Sequence, residues 1–468
     1  MSNLKNKEII QELVGKLLQK DTSIWIKDEE IDNRIDWIDL NIEKVIENIE
    51  NNLKGYKDFD NYILLGMGGS SLSSLAFSKI LPNNNKLIVI DTINPNYIHK
   101  IENSIKNKKN LFIVSSKSGT TIETDTLFRY FFKKYFNKDN FIFITDKNST
   151  LDLEIKNNYK ELVVINPNEN IGGRYSAFTE FGLAPAYLID INLKDIPNII
   201  NQTKDNIYDL IDYDLFNNLL SKIDNNYFEI VFKYNTDKEK YVGYWLEQLI
   251  AESTGKNNKG VLPIIYDFRY HYLENQNTLK IYDLQQIENI FSYMYLWFIQ
   301  TGLIASLIKV NPFNQPDVKL SKDTTNQILK NKSNYNIKDY YINNSLNLNK
   351  NLVIDFIKKN LNENKSYIVI QYYGDYDDIN DKEELQKELI ELFKMPVILS
   401  LGPRYLHSIG QLYKGGPKKG IFIQILNYSD KIPFELKEIN ELFIYQALGD
   451  FITTKNLNLP IIGILKEG

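Results

Sequence analysis

Residues 62–71 read YILLGMGGSS, a short apolar run that ends in three glycines and two serines. An uninterrupted apolar run is typical of a strand that is buried on both faces of a parallel sheet. Glycines directly after such a strand allow a tight turn and bring backbone N–H groups close to a bound anion. The stretch therefore predicts the first strand and the first ligand-binding turn of an α/β domain.

Four further apolar runs follow at intervals that leave room for helices: KLIVIDT, LFIVSS, FIFITD and LVVI. This alternation predicts an α/β fold with two doubly wound sheet domains that carry helices on both faces. Charged segments with helical spacing precede the first strand, and a second group of apolar runs begins near Asp224. We predict an N-terminal helical arm at 1–57, sheet domains at 58–195 and 224–468, and a connecting helical segment at 196–223.

The composition is that of a folded protein, with 43% hydrophobic and 25% charged residues. Because the chain has no cysteine, disulfide scaffolds, zinc–thiolate sites and thiol nucleophiles are excluded. The net charge of −5 argues against a general affinity for nucleic acid or for anionic membranes. The first residues show no secretory signal, and the polar side chains within the uncharged stretch 289–308 favour a buried central helix over a membrane span. We therefore expect a cytoplasmic protein.

A second polar loop lies where another strand meets its helix, at residues 113–124, IVSSKSGTTIET. Hydroxyls and exposed amides at a helix start suit a dianionic phosphate monoester, although two ordinary βα turns are the alternative. The glycine turn lacks both the dinucleotide fingerprint and the Gly-Lys-Ser/Thr of a nucleotide P-loop, and we expect no organic cofactor and no metal. The residues predicted to contact phosphate are Gly69, Ser70, Ser116, Lys117, Ser118 and Thr121.

The pair of loops resembles the sugar isomerase domain family, whose members bind phosphosugars. The segment GGRYSAFTEFGLAPA, residues 172–186, resembles the Gly-Gly-Arg-Tyr/Phe-Ser signature of phosphoglucose isomerases, although Ala177, Glu180 and Phe181 depart from it. The resemblance implies that Arg174 stabilises the negative charge of an enediolate, a task that suits a fixed guanidinium. The alternative role for Arg174 is an ordinary ion pair.

Residues 241–256, YVGYWLEQLIAESTGK, carry apolar side chains at the spacing of a helix packed on a core. Glu252 falls at the edge of the apolar stripe, Glu247 points away from it, and Gly255 is expected to end the helix. Spacing alone makes Glu252 a solvated flank residue, but a position at the C-terminal end of the helix dipole would raise its pKa. The segment resembles the Glu-Ser-x-Gly-Lys of phosphoglucose isomerases, which implies that Glu252 moves the proton between C1 and C2.

Two further segments resemble family signatures: NPFNQPDVKLSKD at 311–323 and GPRYLHSIGQLYKGGP at 402–417. The first implies that Gln315 contacts substrate and that Lys322 assists ring opening; the alternative for Lys322 is an exposed helix lysine. The second implies that His407 opens the sugar ring. It is most similar to the isomerase half of bifunctional transaldolase/phosphoglucose isomerases.

The order of these two segments departs from most of the family, in which the histidine signature precedes the lysine signature. The chain has three histidines. His271 is therefore a fallback candidate for the ring-opening group, and His99 is expected at the surface. The resemblance also implies a homodimer in which the histidine reaches the site of the partner.

Together these resemblances predict a glucose-6-phosphate isomerase that works by acid/base ring opening and proton transfer through a cis-enediolate. One alternative is an isomerase of another aldose phosphate, such as mannose 6-phosphate. Another is a non-catalytic phosphosugar sensor, which would need the phosphate loops but not Glu252, Arg174, Lys322 and His407 together. A dinucleotide-dependent enzyme is disfavoured by the missing fingerprint.

Overall fold

The computed structural model of the protein describes residues 2–27, 31–267, 274–343, 350–429 and 431–467. Three parallel β-sheets build this described part, with helices between most consecutive strands. The prediction of an α/β fold with parallel sheets is confirmed.

The N-terminal arm contains α1 (Ser2–Leu18) and α2 (Ile42–Leu53). The side chain of Asn41 begins α2 by accepting a hydrogen bond from the backbone N–H of Lys44 at 2.9 Å. Buried isoleucines of α2 then pack against the main core. The arm is therefore held against the rest of the protein and does not extend into solvent.

The first sheet has the strand order β2-β1-β3-β4-β5, and every neighbouring pair is parallel. On β1, Tyr62 and Leu64 join one core cluster while Ile63 and Leu65 join another, so both faces of the sheet are covered. The strands and their connecting helices are β1 (Asn61–Gly66), α3 (Leu72–Ile80), β2 (Leu87–Ile90), α4 (Pro95–Ile105), β3 (Asn110–Ser115), α5 (Ile122–Tyr135), β4 (Phe141–Ile144), α6 (Thr150–Asn158) and β5 (Val163–Ile165).

Four helices connect this sheet to the rest of the chain: α7 (Glu180–Leu188), α8 (Ile196–Asp205), α9 (Ile207–Leu210) and α10 (Tyr213–Ser221). The predicted second sheet domain contains two parallel sheets, with the strand orders β7-β6-β8 and β11-β10-β12-β13-β9. Their elements are β6 (Tyr227–Tyr234), α11 (Asp237–Thr254), β7 (Gly260–Asp267), β8 (Thr278–Asp283), α12 (Ile290–Leu307), α13 (Val318–Lys330), β9 (Tyr341–Asn343), α14 (Lys350–Asn360), β10 (Tyr367–Tyr373), α15 (Asn380–Phe393), β11 (Val397–Gly402), α16 (Gly410–Gly415), β12 (Gly420–Tyr428), α17 (Lys437–Asn456) and β13 (Ile461–Glu467).

Helix α12 is the uncharged stretch of the sequence, and within the described ranges one helix is long and apolar enough to cross a membrane. Of this helix, 78% is buried inside the protein, where it packs against α1, α8 and α11. The prediction of a buried central helix is confirmed. Helix α11 in turn lies against both α3 of the first sheet region and α16, and this position brings the two regions together at one site.

Candidate active site

Helix α11 carries the predicted base, Glu252, in its last turn. A capping box of Thr236 and Glu239 begins the helix, and Gly255 follows its last residue. A Cβ at Gly255 would lie 2.4 Å from the Cα of Leu412, so this position requires glycine. The apolar stripe of α11 is buried as predicted, but Glu252 is buried too, with 4% of its surface exposed. Burial raises the pKa of Glu252, and the nearby Arg174 charge offsets part of that rise.

Arg174 lies in a short 3-10 turn, Gly173–Tyr175, and its guanidinium is fixed from several sides. Its Nε lies 3.1 Å from Glu252 Oε2, and Nη1 donates to the carbonyl oxygens of Glu252 and Pro312 at 2.8 and 2.9 Å. Its Nη2 donates to Gln315 Oε1 at 2.8 Å. The structure therefore brings together Arg174, Glu252 and Gln315, three residues from distant parts of the sequence.

His407 lies at the end of a 3-10 turn that follows β11, and Gln248 connects it to the same carboxylate. Gln248 Nε2 donates to the carbonyl oxygen of His407 at 3.0 Å and to Glu252 Oε2 at 3.2 Å. On its other side, His407 Nε2 lies 2.8 Å from Glu123 Oε1. His407 is thus held between the base and a second buried acid.

Glu123 is a candidate functional residue that the sequence analysis missed. It lies in the first turn of α5, and its Oε1 also accepts a hydrogen bond from Gln446 at 2.7 Å. Burial would raise its pKa, but the charge and hydrogen bond of His407, together with Lys322, lower the pKa of Glu123 to about 2. The carboxylate stays ionised, so it can only accept, and Nε2 of His407 carries the proton.

Lys322 lies on α13 with its side chain exposed. Its charge contributes to lowering the pKa of Glu123. Three of the predicted catalytic groups, Arg174, Glu252 and His407, are joined by direct contacts or through Gln248.

The two predicted phosphate loops start side by side, because Gly66 pairs with Ser115 at the carboxyl ends of β1 and β3. Gly69 packs against the Arg174 turn, where a Cβ would lie 2.1 Å from the carbonyl oxygen of Gly173. The backbone at Gly68 has a φ of +54°, and a Cβ there would meet His407. Glycines at these two positions let the first loop touch both catalytic segments.

The hydroxyl groups of the two loops differ in the hydrogen bonds that they make. Ser116 Oγ is buried and has no hydrogen-bond partner in the part of the chain that the structure describes. Ser70 is buried beside it at the end of the first loop, Ser118 Oγ lies 2.9 Å from Thr120 Oγ1, and Thr121 begins α5 without a side-chain cap. Such groups can donate to phosphate oxygens.

Lys117 is a predicted phosphate contact whose ammonium is already paired within the protein. Its ammonium lies 2.6 Å from Asp146 Oδ2 and donates to the carbonyl oxygen of Glu169 at 3.1 Å. Burial lowers the pKa of Lys117, while the Asp146 carboxylate opposes that change. A role in phosphate binding stays a prediction for this side chain.

A buried ion pair underlies the site. Lys414 Nζ lies 2.7 Å from Asp450 Oδ1, and both side chains are at most 1% exposed. Ser321 Oγ donates to Asp450 Oδ1 at 2.9 Å, and the Tyr405 hydroxyl donates to Oδ2. Ser321 immediately precedes Lys322 and Tyr405 lies two residues before His407, so one carboxylate anchors both catalytic segments.

Comparison with known proteins points to one family. Residues 14–209, which are less than half of the chain, match the model of the phosphoglucose isomerase family. Relatives of the chain include the glucose-6-phosphate isomerases of Methanocaldococcus jannaschii, 28% identical over 50% of this chain and 63% of the relative, and of Mycoplasma mycoides, 33% identical over 43% and 51%. The matches thus span between half and two thirds of the length of these relatives.

Solved structures share the fold of this chain. A glucose-6-phosphate isomerase from Chlamydia trachomatis superimposes with a TM-score of 0.51 at 15% identity, over 71% of this chain and 86% of the other. A hypothetical protein from Thermus thermophilus gives a TM-score of 0.56 at 18% identity, over 70% and 96%. At these sequence identities, the structural similarity shows that the proteins share a fold and nothing more.

The resemblance implied a histidine that reaches into a partner's site, and this role of His407 stays a prediction. Within its own chain, His407 contacts Glu123 and Gln248. The fallback candidate His271 lies outside the described residues. His99 lies on α4 with 46% of its side chain exposed, in agreement with the surface position that we predicted.

Glu247 is buried although the helical spacing predicted that it points away from the core. The loop after His407 covers it, and Ser408 Oγ donates to its Oε1 at 3.0 Å. Burial raises the pKa of Glu247 to about 7, and neither Ser408 nor the charge of Arg404 reverses that rise. Burial is thus the common cause of the raised pKa values of Glu247 and Glu252.

We expect Glu247→Gln to remove one source of pH-dependent stability. Between the ordinary glutamate value of 4.5 and about 7, the unfolded chain ionises at Glu247 while the folded protein keeps the proton. The wild type therefore loses stability as pH rises through this window, by roughly 3 kcal/mol from this group, and no more above it. Urea unfolding at pH 5 and pH 8 measures the loss, with the exposed Glu391→Gln as control. Equal losses in wild type and Glu247→Gln would contradict the assignment.

Proposed function

We propose that this protein is a glucose-6-phosphate isomerase, which interconverts glucose 6-phosphate and fructose 6-phosphate. The observation that carries the proposal is the contact between buried Glu252 and Arg174 at 3.1 Å, with His407 joined to the same carboxylate through Gln248. The curated relatives from Methanocaldococcus jannaschii and Mycoplasma mycoides are glucose-6-phosphate isomerases, which supports the same activity.

Binding of the phosphate would come first. The hydroxyls of Ser70, Ser116, Ser118 and Thr121, with the backbone of the glycine turn, would hold its oxygens at the carboxyl ends of β1 and β3. This binding energy, remote from the reacting carbons, would orient the sugar toward α11. For Lys117 to take part, its ammonium would have to leave Asp146.

Ring opening would fall to His407, assisted by Lys322. The ionised carboxylate of Glu123 accepts a hydrogen bond from Nε2–H of His407 and fixes the orientation of the imidazole. That arrangement leaves Nδ1 as the ring nitrogen that exchanges a proton with the sugar. The exposed ammonium of Lys322 would stabilise charge on the ring oxygen as the C1–O5 bond opens.

Proton transfer between C1 and C2 would use Glu252. Its contacts with Arg174 Nε and Gln248 both fall on Oε2, which leaves Oε1 for the substrate proton. Glu252 would take the proton from C2 of the open-chain aldose and return it to C1 of the enediolate. Arg174, already fixed beside this carboxylate, would stabilise the enediolate oxygen without reorganising. None of these steps needs a metal or an organic cofactor.

The assay that tests the proposal converts fructose 6-phosphate to glucose 6-phosphate, coupled to NADPH formation, with mannose 6-phosphate supplied in parallel. We expect turnover of fructose 6-phosphate to exceed turnover of mannose 6-phosphate. Preference for mannose 6-phosphate would favour an isomerase of another aldose phosphate. Saturable phosphosugar binding by calorimetry without any turnover would establish the sensor alternative instead.

We also propose that the protein acts in the cytoplasm as a homodimer. The family resemblance supports this proposal. Sedimentation of the purified protein at several concentrations would measure the oligomeric state.

A further inference from the structure

Helix α17 supports the ring-opening histidine from two sides. Gln446 and Asp450 are one helical turn apart on α17, so their side chains leave the helix on the same face. Asp450 accepts a hydrogen bond from the hydroxyl of Tyr405, which lies in the same 3-10 turn as His407. Gln446 Nε2 donates to Glu123 Oε1 at 2.7 Å. One face of α17 therefore holds both the segment that carries His407 and the acid that binds its ring.

The charge of Glu123 determines how the amide of Gln446 is oriented. The carboxylate is ionised and can only accept, so a reversed amide would bring two acceptor oxygens together. Glu123 Oε1 thus accepts two hydrogen bonds, one from Gln446 Nε2 at 2.7 Å and one from His407 Nε2 at 2.8 Å. Because these donors belong to separate elements, together they restrict the rotation of the carboxylate and therefore of the imidazole.

Burial makes this contact strong and the choice of glutamine costly. Gln446 is 5% exposed and Glu123 is 3% exposed, so little water competes for the hydrogen bond between them. The other polar atom of the amide, Gln446 Oε1, is buried and has no hydrogen-bond partner among the described residues. A buried acceptor without a donor destabilises the folded chain, and an apolar side chain of similar length would avoid that cost. The donor Nε2, and not packing, explains the glutamine.

We propose that Gln446 is a positioning residue for ring opening, which acts through Glu123. Its amide holds the carboxylate in the orientation that binds Nε2–H of His407, and this leaves Nδ1 of the imidazole to face the sugar. Gln446 itself exchanges no proton. The chemical role rests on the proposed isomerase function, whereas the hydrogen bonds from Gln446 and His407 to Glu123 can be tested without turnover.

Nuclear magnetic resonance of protein labelled with ¹⁵N-histidine tests the contact directly. Gln446→Met keeps the length of the side chain and removes the donor, and His407→Gln assigns the His407 signal. We expect the Nε2 proton of His407 to exchange with solvent about tenfold faster or more in Gln446→Met than in the wild type. Gln300→Met is the matched control, since Gln300 on α12 is 1% exposed and its Oε1 accepts from the backbone N–H of Asp212 at 3.1 Å. This control should lose stability but leave the His407 signal unchanged.

Turnover of fructose 6-phosphate gives the second readout. We expect kcat of Gln446→Met to fall by about tenfold, with KM close to the wild-type value because Gln446 does not belong to the phosphate loops. Unchanged proton exchange, unchanged kcat, or equal effects in Gln300→Met would each overturn the role of Gln446. A wild type without turnover would refute the isomerase proposal, and the proton exchange would still decide the contact. If circular dichroism shows that Gln446→Met is unfolded, Gln446→Asn, whose shorter side chain withdraws the amide, replaces it with the same expected results.

Discussion

Glu252→Gln is expected to reduce turnover of fructose 6-phosphate by about a thousandfold or more, within the 10²–10⁴ range of a positioned acid/base group. The amide keeps the size of the side chain and can still accept from Arg174 and Gln248, but it cannot take a proton from carbon. We therefore expect phosphosugar affinity, measured by calorimetry, to change far less than kcat. The same substitution at exposed Glu391 should leave turnover unchanged.

The pH dependence gives a second readout of the same residue. Glu252 must be ionised to act as the base, and burial raises its pKa above that of an ordinary glutamate. Turnover of the wild type should therefore fall as pH falls through that raised value, and the residual turnover of Glu252→Gln should lack this acid limb. Undiminished turnover in Glu252→Gln would show that another group is the base, even if the reaction itself is correct.

Asp450→Asn is expected to lower the free energy of unfolding by about 3–5 kcal/mol, because it leaves the buried ammonium of Lys414 without its counter-charge. The urea midpoint of unfolding measures the loss. The exposed ion pair of Lys332 and Glu441, at 2.6 Å, offers a matched control. Glu441→Gln should cost less than about 1 kcal/mol, since solvent screens both charges.

A double variant separates the lost charge pair from other effects of the substitution. Asp450→Asn combined with Lys414→Met removes both charges, and stability should recover in large part. If Asp450→Asn alone were no more harmful than Glu441→Gln, the ion pair would not anchor the catalytic segments. Reduced turnover in a folded Asp450→Asn would agree with displaced Lys322 and His407, whose neighbours Ser321 and Tyr405 bind this carboxylate.

The sheets were predictable from sequence because strands buried on both faces leave uninterrupted apolar runs. YILLGM and LFIVSS became β1 and β3, and the two polar loops that follow them lie side by side as parallel pairing requires. The separation of β6, β7 and β8 into their own sheet was not predictable, since apolar runs do not record which strands pair.

The burial of Glu252 and Glu247 shows what helical periodicity leaves out. The apolar stripe of α11 marks the face that packs on the core, but the segment around His407 covers a second face of the helix. Ser408 and Glu247 are 161 residues apart in sequence, so this cover could not be inferred from spacing within one element. Only the family resemblance pointed to Glu252, and the burial that raises its pKa came from tertiary packing.

Glu123 was missed for a related reason. An acid in the first turn of a helix is common, because it faces the positive end of the helix dipole, and nothing local separates Glu123 from such a residue. Its partner His407 lies 284 residues away in sequence. The position of Lys117 among hydroxyls predicted a phosphate contact, but sequence could not show that its ammonium pairs with Asp146 in the folded chain.

The position of His407 within its own chain has a consequence for genetics and for assembly. If each chain carries the whole set of reacting groups, two chains that are inactive for different reasons cannot restore one another in a mixed dimer. A mixed dimer of one chain lacking Glu252 and one chain lacking His407 would then be inactive. If the site instead combined residues of both chains, the mixed dimer would recover part of the activity. A dimer would then contribute stability or regulation, and the activity of each chain would not depend on its partner.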